Sequence, residues 1–141
     1  MEQVKIRPAV EGDFHFIIST WLKSFKHSSY FGKRIRNSIF FKFHHAVVTD
    51  ILASPDTLVT VACDTLDENV IYGYMVAGVA PDDNTLLHYL YVKSPFRRMG
   101  VAKVLGAPLN LDKIVFSHWT FSTDWMIEKW PNAVYIPYLM S

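Results

Sequence analysis

The stretch Leu90-Tyr91-Val92-Lys93-Ser94-Pro95-Phe96-Arg97-Arg98-Met99-Gly100-Val101-Ala102 decides how this chain is read. Its first residues favour a strand, Ser94-Pro95 closes that run, and Gly100 to Leu109 has the composition of a short helix. A strand therefore passes through a tight loop into a helix. At such a junction the first main-chain N–H groups of the helix point outward without partners, where an anion such as phosphate can take them. Gly100 lets the backbone approach a ligand with no Cβ in the way, Ala102 keeps the first turn uncrowded, and Arg97 and Arg98 bring positive charge beside the amides. The plainer alternative for Gly100 is a helix-entry turn with no ligand.

Upstream of this stretch, Leu86 to Val92 is the third of three consecutive strands. Leu58 to Cys63 and Val70 to Val79 are β-branched runs separated by Asp64 to Asn69, an antiparallel hairpin, and Asp82-Asp83-Asn84 turns the chain into the third strand. Val4 to Arg7 alternates apolar and charged residues as a half-buried strand does, until Pro8. Phe14, Ile17, Ile18, Trp21, Leu22 and Phe25 recur at spacings of three and four and mark a first helix capped by Asp13. Ile35, Ile39, Phe43, Val47 and Leu52 mark a second, which stops before Ser54-Pro55. Downstream, Lys113 to Trp119 reads as a strand, Thr123 to Trp130 as a helix and Ala133 to Leu139 as a last strand. The order β, α, α, β, β, β, α, β, α, β places the chain in the α/β class. Phe14, Ile17, Trp21, Ile39 and Phe43 are expected to pack on a sheet that carries Val59, Val61, Tyr72, Tyr74 and Leu90.

The 141 residues are half hydrophobic, 15% aromatic and only 19% charged, which excludes a disordered chain and suits one domain over 1–141. Cys63 is the single cysteine, so there is no internal disulfide framework and no Cys-rich zinc site, and no metal is expected. Charges between Met1 and Arg7 do not suit a signal peptide, which makes a reducing cytoplasm the expected compartment. Lys23, Lys42, Asp64, Asp82 and Lys93 keep every apolar stretch short of the roughly 18 residues a membrane span needs, so no membrane partner is expected. A net charge of +1 implies no polyanionic partner. Between Asp13 and Asp50, however, no acid occurs among Lys23, Lys26, Lys33, Arg34, Arg36 and Lys42 and the histidines His15, His27, His44 and His45. This segment reads first as a solvated helix face, with nucleic acid or another acidic ligand as the lesser alternative.

Arg97-x-x-Gly100-x-Ala102, directly after the Leu90-Tyr91-Val92 strand, resembles the acetyl-CoA loop of the GCN5-related N-acetyltransferases, whose pattern is Arg/Gln-x-x-Gly-x-Gly/Ala. The element order resembles that family over nearly the whole chain. The resemblance implies a mixed, mostly antiparallel central sheet with helices on both faces, and acetyl-CoA as cofactor. It implies that a bulge splays strand Leu86–Val92 from strand Lys113–Trp119, so that main-chain groups near Leu90, Tyr91 and Val92 pair with the pantetheine arm. It also implies that the pyrophosphate takes the amides of Arg98, Met99, Gly100, Val101 and Ala102 beside Arg97. Transfer would then go by direct attack of an amine acceptor of unknown identity, and a homodimer stays open. His118-Trp119-Thr120, Trp21 to Phe25 and Pro137-Tyr138-Leu139 are further similar to short acetyltransferase-like proteins of tailed bacteriophages.

The chain departs from the family where catalysis is concerned. Leu86 stands where the family often has a carboxylate, Ile127 in Ile127-Glu128-Lys129 replaces its tyrosine, and Thr120 is nearest to its usual asparagine. His88, two residues beyond Leu86, and His118, at the end of the following strand, are the candidate bases, with a rate midpoint expected at about pH 6 to 7 as for free imidazole. Each has a structural alternative as a satisfied sheet or packing residue. Tyr135 and Tyr138, beside the edge-marking Pro137, are candidate acids, and with Trp125 and Trp130 they suit the core first, with the wall of an acceptor pocket as the alternative. His44-His45 reads as an exposed helix turn and Cys63 as core. A catalytically inactive interaction protein of the same fold is the alternative function.

Overall fold

Alternation over Val4–Pro8 makes β1, and the chain then turns through Glu11–Asp13 into α1, Phe14–Ser28. The structure, a computed structural model, describes residues 3–30, 32–120, 123, 124, 128–130 and 132–139. A turn at Gly32–Arg34 leads to α2, Asn37–Ala53. The hairpin follows as β2, Leu58–Asp64, and β3, Ile71–Val79, and the third strand as β4, Thr85–Val92. α3 is Val101–Gly106, β5 is Ile114–Phe116 and β6 is Val134–Tyr135. Both last strands are shorter than their sequence suggests. The expected helix at Thr123 to Trp130 includes Trp125 and Ile127, which lie outside the described residues.

Among the described residues the strands form one sheet in the order β1-β2-β3-β4-β5-β6. β1 to β4 are antiparallel neighbours, whereas β4 with β5 and β5 with β6 run parallel, so the sheet is mixed and mostly antiparallel. Helices cover both faces. Ile17, Trp21 and Phe25 of α1 and Phe40, Val48 and Ile51 of α2 pack on Val61, Tyr74, Val76 and Tyr89, while Val101 and Leu105 of α3 pack on Met75, Leu87, Ile114 and Phe116 from the other side. No helix of the described residues is long and apolar enough to cross a membrane.

Five expectations are corrected by this packing. Ile39 and Phe43 do not face the sheet: they are 58% and 55% exposed, and α2 instead buries Phe40, His44, Val48 and Ile51. The sequence offers two apolar rows one residue apart on this helix, and the sheet takes the second row, which moves His44 from an exposed turn into the core. Tyr72 and Leu90 lie on the α3 face, not beside Tyr74. The pairing of β2 with β3 shifts between Ala62 and Cys63, which leaves Tyr72 as the extra residue and breaks the simple alternation. Asp13 does not cap α1 through its side chain. Its carboxylate instead accepts Arg7 Nη1 at 2.7 Å, Arg7 Nη2 at 3.0 Å and the Val10 amide at 2.8 Å, a largely buried fork that ties β1 to the helix start. Lys26, counted with the solvated basic segment, is buried. Its ammonium donates to Gly32 O and to Ile35 O, and lies 5.4 Å from the Phe40 ring centroid.

The turn that receives this ammonium has room only for glycine. A Cβ on Gly32 would stand 2.4 Å from Ser29 Oγ and 2.5 Å from the Lys26 carbonyl oxygen. α1 can therefore reverse into α2 within a few residues, which sets α2 beside α1 over the same sheet face.

Candidate functional site

The ladder between β3 and β4 changes register once: Val76 pairs with Tyr89 but Ala77 pairs with Leu87. His88 is the extra residue, so β4 carries a bulge at the position where it leaves β5. The parallel pairing with β5 covers Thr85, Leu86 and Leu87, ends at Phe116, and is followed by one further bond from the Ser117 amide to Leu87 O at 3.2 Å. Beyond Leu87, β4 runs on to Val92 with no strand paired to its far side among the described residues, and a cavity of about 510 Å³ opens beside it.

The direction of each main-chain group along this edge follows from one hydrogen bond. The Lys93 amide donates to Tyr72 O at 2.9 Å, which makes Tyr72 and Lys93 a hydrogen-bonded pair of the antiparallel ladder. Alternation then gives Tyr91 to Tyr74 and Tyr89 to Val76, and turns the amides and carbonyls of Leu90 and Val92 outward into the cleft. Arg97 already uses one of them, as its Nε donates to Val92 O at 3.0 Å. Of the three strand residues expected to offer main-chain groups, Leu90 and Val92 do so, and the backbone of Tyr91 is taken up by β3.

The loop after β4 closes one end of the cleft. Arg98 has φ 64° and Gly100 φ 85°, a left-handed conformation at both, and Gly100 stands immediately before α3 with no atom within 4 Å of where its Cβ would lie. The glycine serves the backbone turn and leaves open space above it. Arg97 and Ala102 line the cleft, while Met99 is 48% exposed. The opposite wall comes from α1, where Ser24, His27 and Ser28 face β4. Tyr89 stacks on Trp21 with ring centroids 5.2 Å apart, and its hydroxyl lies 2.6 Å from Ser24 Oγ. Burial pushes this phenol above its ordinary range, so it stays protonated. Sequence reasoning missed Ser24, His27, Ser28 and Tyr89. The serines fall on the helix row next to Trp21 and Phe25, and only the position of β4 turns that row into a wall.

Of the four catalytic candidates, His88 and His118 line the cleft and Tyr135 and Tyr138 do not. Tyr135 packs edge-on against Trp119 on the α3 side, and Tyr138 packs near His44 and His118 on the α1–α2 side. Burial raises the pKa of both phenols. His88 and His118 are joined through Ser117, whose Oγ lies 2.7 Å from His88 Nδ1 and 2.8 Å from His118 Nδ1. A hydroxyl has one proton to give, so it donates to one ring and accepts from the other, which fixes opposite tautomers on the two imidazoles. Burial pushes His88 down to about 4; it pushes His118 down to about 3, with the charges of His88 and His44 adding to the effect. Both rings are neutral at pH 7, and the expected midpoint near that of free imidazole does not survive burial. Thr120, the nearest residue to the family's asparagine, also lines the cleft, and its amide donates to Thr123 Oγ1 at 3.0 Å. Leu86, at the family's carboxylate position, is wholly buried with Ala80 and Val115. Among the described lining residues there is no carboxylate. The described residues hold no group of His, Cys, Asp and Glu able to bind a metal.

This sheet, with β4 splayed from β5 beside a strand-loop-helix turn, is the fold of the GCN5-related N-acetyltransferases. A candidate acetyltransferase from Pyrococcus furiosus superposes with a TM-score of 0.60 at 13% identity, over 94% of this chain and 80% of that one. A candidate acetyltransferase of this family from Staphylococcus aureus does so at 0.54 and 14% identity, over 73% of this chain and 85% of that one. The PaiA N-acetyltransferase of Thermoplasma acidophilum, solved with coenzyme A, gives 0.50 at 13% identity, over 89% and 73%. No protein-family profile and no curated protein matches the sequence. The likeness is one of fold.

Proposed function

We propose that the chain is an acetyl-CoA-dependent N-acetyltransferase acting on an amine. The observation that supports this most is the edge of β4 between Leu87 and Val92, which has no paired strand among the described residues and where Leu90 and Val92 offer main-chain donors and acceptors beside the Arg97 to Ala102 loop. A pantetheine arm carries two amides, and an extended amide chain pairs with a strand edge as another strand would. The pyrophosphate would lie over the amides of Arg98, Met99, Gly100, Val101 and Ala102, with Arg97 and Arg98 supplying charge. Thr. acidophilum PaiA, which shares the fold, binds coenzyme A.

In the reaction the amine lone pair attacks the thioester carbonyl, a C–N bond forms, the C–S bond breaks, and the nitrogen proton must leave while the thiolate gains one. His88 and His118, neutral at pH 7, are two of the three imidazoles on the cleft wall, across from His27, but bases with such depressed pKa values give little driving force for proton removal. The proton equilibrium of the free amine therefore governs the rate. The protonated phenol of Tyr89 is a wall group able to return a proton. The lack of a carboxylate among the described residues of the cleft wall favours a second reading, a protein that binds CoA or a partner without turnover.

Gly100→Glu tests the cofactor site. The exchange puts a side chain on a left-handed residue and a negative charge where phosphate oxygens would lie, so acetyl-CoA affinity by calorimetry should fall at least a hundredfold or so, about 3 kcal/mol. Undiminished affinity would sink the assignment. Tight acetyl-CoA binding with no transfer to a broad amine panel would instead establish the second reading.

A further inference from the structure

The outer face of α2 carries a second cavity, an open groove of about 650 Å³ lined by Ser38, Ile39, Lys42, Phe43, Ala46, Val47 and Asp50. It lies away from the β4 cleft and shares no residue with it. Ile39 and Phe43 are more than half exposed here, an apolar row on a helix whose other row already fills the core. Neither Lys42 nor Asp50 has an ion-pair partner among the described residues.

The spacing of these residues says what would cover them. Lys42 and Asp50 each stand four positions from Ala46, one toward either end of the helix. We infer that this face pairs with the same face of a second copy, the two α2 helices antiparallel about a two-fold axis at Ala46. A two-fold interface must be complementary to itself, and this arrangement sets Lys42 of each copy level with Asp50 of the other, giving the same ion pair twice. Ala46, at the axis, has no bulk to hold the helices apart. Ile39 then faces the small Ala53 of the second copy, and Phe43 is covered from the side. A parallel pairing would put Lys42 against Lys42 and Asp50 against Asp50, so the charges also select direction. The contact is smaller than the roughly 20–30 residues a side of a standard interface, so association falls in the micromolar range. It stands independently of the acyl-transfer reading.

Sedimentation of the full chain over a micromolar concentration series tests this, with two charge reversals and their combination. The parent should pass from monomer to dimer. Lys42→Asp and Asp50→Lys each turn two attractions into two repulsions and should raise the dimer dissociation constant about tenfold or more. The double variant restores both pairs and should return near the parent value. A mixture of the two single variants should form a heterodimer tighter than either homodimer, because one chain then offers only acids at these positions and the other only lysines. A parent that stays monomeric throughout, a dimer indifferent to the single changes, or a double variant no better than its parents overturns the inference.

Discussion

A buried histidine that stays neutral in the fold makes stability depend on pH in a fixed direction. His44, His88 and His118 are each nearly enclosed, and burial pushes them from 6.5 to about 4, about 4 and about 3. In the unfolded chain they take up protons below 6.5, and in the folded chain they do not until far lower. The unfolded state therefore binds more protons over that interval, and stability falls as pH drops. The loss should begin near 6.5 and reach several kcal/mol by about pH 5, discounted for overlap among three neighbouring rings. Asp13 acts in a different window. Its carboxyl is held below 3.8, first by the Arg7 hydrogen bonds, so its contribution is complete above 3.8 and is lost only as pH falls through the lowered value. Urea titrations at pH 7 and pH 5 separate the two. Equal midpoints would show that the three imidazoles are hydrated and not buried as described.

At the scale of one element, α2 shows which part of the sequence can be read and which cannot. Apolar or aromatic residues fall at Ile39 and Phe40, Phe43 and His44, and Val47 and Val48, so two rows one residue apart satisfy the helical period about equally well. The period shows that a helix exists. Its phase is chosen by the sheet, which no local pattern contains. Phe40→Ala, from the row that is 1% exposed, should cost about 3–5 kcal/mol, whereas Phe43→Ala, 55% exposed, should cost under about 1 kcal/mol when measured at dilution. Comparable losses would restore the other phase. The same division holds elsewhere. The strand-loop-helix turn at Val92 to Ala102 was legible because glycine, proline and arginine mark it locally. The bulge at His88 was reached only through family likeness, the Ser117 bridge was not foreseen, and the extra residue at Tyr72 was missed, because each depends on a neighbouring strand. The loop side of the candidate site thus lay open in the sequence, while its α1 wall did not.

For the whole molecule, the cleft lies where the sheet stops holding itself together. β4 is bonded to β3 along its length but to β5 only as far as Leu87, so the C-terminal strands meet the rest through a short seam. A pantetheine chain laid along Leu90 and Val92 would continue that seam, and two observables should respond together. Amide exchange should slow at Leu90 and Val92 on adding acetyl-CoA, since their N–H groups face the cleft. It should change little at Tyr89 and Tyr91, which are already bonded to β3. Ligand at a hundred times its dissociation constant adds about 2.7 kcal/mol, and for a domain of this size that raises Tm by roughly 8 °C. Desulfo-CoA should do nearly as well, because the proposed contacts are made by pyrophosphate and pantetheine and not by the thioester. A rise in Tm without new protection at Leu90 and Val92 would place the ligand elsewhere on the protein. New protection at Tyr91 in their stead would mean that the ladder alternates the other way and that the outward groups of β4 are wrongly assigned.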